Sequence, residues 1–71
     1  MVYEFWDMRS HNIVDAFETE HEALEALREA IRLDGERIVE FLMLIEDGSE
    51  NDDSRIVGMG LQLLDLVKKT A

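Results

Sequence analysis

Phe41, Leu42, Met43, Leu44 and Ile45 form the only run of five consecutive large apolar residues in the chain. A run this short, bounded by polar residues, reads as a buried strand rather than a helix. Successive side chains of a strand point to opposite faces, so Phe41, Met43 and Ile45 are expected on one face and Leu42 and Leu44 on the other. A strand that is apolar on both sides needs cover on both sides, and the rest of the chain is read here as what supplies it.

Before this run, residues 2–8 are mostly aromatic or long apolar, a composition that favours a strand. Arg9, Ser10, His11 and Asn12 then make a tight turn in which Asn12 is the residue suited to positive φ. A second strand follows over residues 13–18, with Ile13 and Phe17 expected on one face and Val14 and Ala16 on the other. Thr19, Glu20, His21 and Glu22 fit a capping box, in which the Thr19 hydroxyl accepts from the Glu22 amide and the Glu22 side chain returns to the Thr19 amide. Ala23, Leu24, Leu27, Ala30 and Ile31 recur at helical spacing and predict a helix over residues 20–33. Asp34 and Gly35 end it, with Gly35 supplying a left-handed conformation.

Residues 36–39 suit either an early strand start or a helical turn, and the central strand is expected over residues 40–46. Residues 46–54 are polar and rich in turn formers, hence a loop. Arg55, Ile56 and Val57 predict a returning strand. Leu61, Leu63, Leu64, Leu66 and Val67 predict a second, shorter helix closed by Lys68 and Lys69, cations suited to the negative end of its dipole. The expected fold is therefore a single α+β domain over residues 1–71 in the order ββαββα. Its four-stranded antiparallel sheet has strand order 2-1-3-4, with the main helix on one face and a short C-terminal helix.

Seventy-one residues leave room for only a small core, because a domain of this size buries roughly 60% of its unfolded surface. There are no cysteines, so disulfides and thiolate metal sites are excluded, and the composition suits a reducing, cytoplasmic setting. Support from a second subunit is the remaining expedient for so small a domain. Seventeen carboxylates against seven Lys and Arg leave a formal charge of −10. That charge disfavours nucleic acid and anionic membranes, both of which attract cations, and it admits a basic protein partner. No stretch approaches the roughly 20 apolar residues of a membrane span, and the first residues lack the basic start and apolar centre of a signal peptide.

Tyr3, Phe5, Trp6 and Asp7, then Ser10, Asn12, Ile13 and Val14, then Phe17, Thr19, Glu22, Ala23 and Leu24 together resemble the opening of a widespread family of short uncharacterised bacterial proteins. The resemblance covers about the first half of the chain and implies no activity. Thr19, Glu22, Ala23 and Leu24, continued by Arg28, Glu29, Ala30 and Ile31, are also similar to the helix of HicB-type antitoxin domains. That similarity spans about a dozen residues, without the Pro and Gly-Cys landmarks that precede the helix in that family. It implies an antitoxin-like partner of a basic protein.

Candidate chemical sites resolve into ordinary roles. Glu46, Asp47, Glu50, Asp52 and Asp53 could hold Ca²⁺ weakly, yet their spacing departs from the twelve-residue calcium loop. His11 and His21 are the only histidines and have no ligand-spaced neighbour, which makes each a surface residue. Asp7, Ser10 and His11 contain the residue types of a nucleophilic triad without the recess that one needs. Gly58, Met59 and Gly60 lack the spacing and lysine of a phosphate loop. The five aromatics, Tyr3, Phe5, Trp6, Phe17 and Phe41, belong to a core or interface, since base-stacking platforms sit in positive grooves. No catalytic residue, metal site or cofactor is therefore assigned, and the expected function is a non-catalytic, self-associating protein-interaction module. Its homodimer interface is expected to draw on Trp6, Leu42, Leu44, Leu61 and Leu64, because the second helix is too short to seal the face left by the first.

Overall fold

The computed structural model describes residues 2–48 and 54–69. Strands β1 (Val2–Asp7) and β2 (Asn12–Phe17) form a hairpin, and helix α1 (Glu20–Asp34) follows. A 3-10 helix over Glu36–Phe41 leads into β3 (Leu42–Asp47), then β4 (Ser54–Met59) and helix α2 (Gln62–Lys69). The four strands make one antiparallel sheet in the order β2-β1-β3-β4, so the ββαββα order and the 2-1-3-4 arrangement expected from the sequence are the observed ones.

Local chemistry accounts for most of the element boundaries. The Thr19 hydroxyl accepts from the Glu22 amide at 3.1 Å, satisfying one of the free amides that every helix start presents. The other half of the expected capping box takes a different form. The Thr19 hydroxyl donates to the Glu22 carboxylate at 3.1 Å. Gly35 closes α1 at φ 92°, donating its amide to the Ile31 carbonyl at 2.7 Å. In the hairpin turn the positive φ falls on His11 (61°), not on Asn12, which already pairs with Asp7 as the first residue of β2. Phe41 completes the 3-10 helix instead of opening the strand, so it leaves the alternation of β3 and lies beneath the Arg9 guanidinium, 3.9 Å from its ring centre.

Both edge strands carry a bulge. Opposite Phe5 and Trp6 of β1, β2 presents Asp15 and Ile13, leaving Val14 as the extra residue. Opposite Leu44 and Ile45 of β3, β4 presents Gly58 and Ile56, leaving Val57 as the extra residue. One inserted residue reverses the facing of everything beyond it. Ile13 and Phe17 consequently lie on opposite faces, which corrects the shared face expected from simple alternation. Phe17 stands opposite Tyr3, and Ile13 opposite Trp6.

The core occupies one side of the sheet only. Tyr3 and Phe5 of β1, Leu44 of β3, Val39, and Ala23, Leu24 and Leu27 of α1 are buried together with Leu63 and Val67 of α2. Phe5 meets Phe17 edge to face at 6.1 Å, a geometry that adds to area burial. Both helices thus share a face, which corrects the expectation that the second would partly cover the face left by the first. Arg28 of α1 donates to the Val67 carbonyl at 3.0 Å and ties α1 to the last turn of α2. Gly58 permits the close approach, because a Cβ there would lie 3.0 Å from Leu66 and 3.4 Å from Leu63. The shortest Cα dimension of the fold, 17 Å, is that of one helix layer on one sheet layer, which stack about 10 Å apart between backbone centres.

Candidate functional site

The second face of the sheet has no helix over it among the described residues. Cross-strand pairing arranges that face in rows. The first row runs Ile13, Trp6, Met43, Met59 from one edge to the other and is apolar throughout. The second runs Ala16, Glu4, Ile45, Ile56 and includes one carboxylate. In the third, Val2 stands opposite Asp47, which stands opposite Ser54. Ile13 is 49% exposed and Ile56 51%, so large side chains at both edges of the face stand in water. The face therefore grades from apolar near the hairpin turn to acidic at the far end.

A shallow cavity of about 340 Å³ opens at the apolar end, lined by Trp6, Asp7, Met8, His11, Met43 and Ile45. Its size falls within the range of small-ligand pockets, which corrects the expectation that the hairpin turn has no recess; the ionisable groups that line it are Asp7 and His11. The Asp7 carboxylate is already engaged by Arg9, whose Nη2 and Nε donate to it at 3.0 and 3.2 Å and whose amide donates at 2.8 Å. Those bonds hold the Asp7 pKa below its ordinary value. Among the described residues no hydrogen bond between side chains links Asp7, Ser10 and His11; the Asp7 carboxylate bonds to Arg9 instead.

The acidic residues at the other end divide between the two faces. Glu46 turns toward the helix side, where the Tyr3 hydroxyl donates to it at 2.7 Å and Arg55 donates twice at 3.3 Å. The tyrosine hydrogen bond, followed by Arg55, lowers the Glu46 pKa, and the same bond to Glu46 raises that of Tyr3. Of the five carboxylates considered for calcium, Glu46 is occupied in this way, Asp47 lies in β3 on the open face, and Glu50, Asp52 and Asp53 fall outside the described residues. No group of three or more His, Asp or Glu side chains converges as metal ligands among the described residues. Glu4 stays on the open face beside Trp6, whose indole N–H donates to its carboxylate at 3.3 Å.

The residues singled out from the sequence for an interface separate. Trp6 lies in the middle of the first, apolar row of the open face. Leu44 is fully buried in the core, opposite Phe5. Leu42 and Leu64 pack against that core on the helix side, and Leu61 is 68% exposed in the turn before α2. Met43, Ile45, Ile56, Met59 and Ile13, which share the face with Trp6, were not among the residues expected at the interface, although Met43 and Ile45 were expected to share a face. Parity from the Leu44 core would have found Met43 and Ile45, but the two bulges conceal the facing of Ile13 and Ile56. The five aromatics divide as well, with Tyr3, Phe5 and Phe17 on the helix side, Trp6 on the other and Phe41 beneath Arg9 at the end of the 3-10 helix, so they form no continuous stacking surface. No described helix is long and apolar enough to cross a membrane. Set against family models, curated proteins and solved structures, the chain matches none of them.

Proposed function

We propose that this protein is a non-catalytic interaction module that self-associates through the open face of its sheet. One observation carries the reading: both helices pack on the Leu44 side, so the row of Ile13, Trp6, Met43 and Met59 has no helix over it among the described residues. Sheets bury an apolar face against a second layer, and two copies stacked face to face supply one. The edges are poorer candidates. A bulge in each outer strand, with Asp15 and Arg55 nearby, interrupts the regular ladder that edge pairing needs.

The size of the face limits the strength of the contact. Four strands spaced at about 4.8 Å, each rising about 3.3 Å per residue for six residues, present roughly 400 Å² in projection. Two such faces come to roughly 800 Å², below the standard interface and in the range of weak, transient contacts, and two chains of formal charge −10 repel one another. Self-association is therefore expected in the micromolar range and should strengthen with salt, which screens the repulsion. Sedimentation equilibrium from micromolar to near-millimolar protein, at low and high salt, tests this. A mass that remains at 8.2 kDa throughout overturns it. Replacing Ile13 and Ile56 together by Ser should abolish the association while leaving the circular dichroism spectrum unchanged, because both side chains are already half in water.

A second reading, an acidic module that docks on a basic protein, is favoured by the charges of the same face. Its rows carry Glu4 and Asp47 and no Lys or Arg among the described residues.

A further inference from the structure

The open face carries an asymmetry that a second copy satisfies only in part, covering the apolar row but leaving the carboxylates without a countercharge. Its first row, Ile13, Trp6, Met43 and Met59, is wholly apolar, and the carboxylates Glu4 and Asp47 lie only in the rows beyond it. Arg55, the cation nearest that end, is turned to the other side of the sheet and held by Glu46. A second copy brings the same signs to the contact. A partner with an apolar stripe bordered by cations meets the row and the carboxylates together. We infer that the open face is built to receive a cationic amphipathic helix of a basic protein, with its apolar stripe on the first row and its Lys or Arg side chains against Glu4 and Asp47. This rests on the open face being the contact surface of the module.

Several features fit that occupant. The missing layer of a sheet already covered by helices on one side is most simply a helix on the other. The row crosses three strand spacings, roughly 14 Å, which is the length of about nine helical residues at 1.5 Å each. That accommodates anchors at positions i, i+3 or i+4, and i+7, the pattern by which apolar grooves read helices. Met43 and Met59 are unbranched and adapt to partner side chains of varied shape. Trp6 supplies a large rigid anchor at the centre of the row, of the kind that dominates interface energies.

Trp6 is also the only tryptophan in the chain, so its emission reports on this face alone. The test uses three synthetic peptides added to the full chain: a helix with a Leu stripe and a Lys polar face, the same stripe with a Glu polar face, and the Leu and Lys residues in scrambled order. The Leu/Lys helix is expected to shift Trp6 emission to the blue, to dissociate the self-associated form, and to bind more weakly as salt rises. The double variant Glu4→Gln, Asp47→Asn should weaken that binding about threefold to tenfold, the effect of losing two exposed ion pairs. Equal binding of the Leu/Glu helix or of the scrambled peptide, or binding without change in Trp6 emission, overturns the inference. If the chain self-associates through Ile13 and Ile56 but the Leu/Lys helix does not bind, this inference falls and the interaction module stands. If the Ile13→Ser, Ile56→Ser variant both self-associates and binds the peptide like the parent, both fall.

Discussion

His11 is the only non-glycine residue at positive φ among those described, at 61° in the hairpin turn. A left-handed conformation costs an ordinary side chain about 1 kcal/mol or more, and glycine escapes most of that cost. His11→Gly is accordingly expected to raise the thermal midpoint by a few degrees, since about 1 kcal/mol moves a domain of this size by roughly 4–8 °C. Scanning calorimetry of the two proteins decides it, and a lower midpoint would mean that the imidazole holds the turn by packing at the cavity. Glu46 sets a second residue-scale expectation. Its pKa is held down by the Tyr3 hydroxyl and then by Arg55, so the folded state binds its proton less readily than the unfolded state. The stability this contributes is present above the unfolded value of about 4.3 and is lost as pH falls through the lower folded value. Urea midpoints measured from neutral to acid pH should fall less steeply for Glu46→Gln than for the parent below about pH 4.3.

At the scale of elements, the start of α1 and the contact of β4 with α2 are the sensitive points. Thr19→Ala removes the acceptor for the Glu22 amide and should cost about 1 kcal/mol in chemical denaturation. Gly58→Val is expected to cost about 1–3 kcal/mol, because even a Cβ at this position meets Leu66 at 3.0 Å; Gly58→Ala, which only requires the end of the Leu66 side chain to give way, should cost less. The ββαββα order and the helix cap were legible in the sequence, since Thr19 and Glu22 are local signals and the helical spacing of Ala23, Leu24 and Leu27 is strong. The bulges at Val14 and Val57 were not. A bulge is defined by a partner strand far along the chain, and nothing within residues 12–17 distinguishes a regular strand from one that carries an extra residue. For the same reason Phe41, contiguous in sequence with the most apolar run, could be assigned to the strand when it ends the 3-10 helix.

For the whole molecule, placing two helices on one side of a four-stranded sheet makes a two-layer body 17 Å across its shortest dimension and leaves the choice of open face as the decisive fact. Leu44, an interface candidate in the sequence, becomes the centre of the core, and a Leu44→Ala variant should lose about 2–5 kcal/mol of stability, since Leu44 is 0% exposed. Trp6→Ser is expected to change stability far less than Leu44→Ala while weakening self-association, a contrast that sedimentation and urea unfolding together measure. By itself the sequence determined the number and order of the strands and α-helices, though not the 3-10 helix between α1 and β3, because capping, turn chemistry and apolar periodicity act over a few residues. It also determined that the central strand is apolar on both sides. Which side stays open was decided only in the tertiary structure. An amphipathic stripe states that a helix must be covered without stating by what. It was the closeness that Gly58 allows, together with the bond from Arg28 to the Val67 carbonyl, that brought α2 beside α1 and left Trp6, Met43 and their row facing outward.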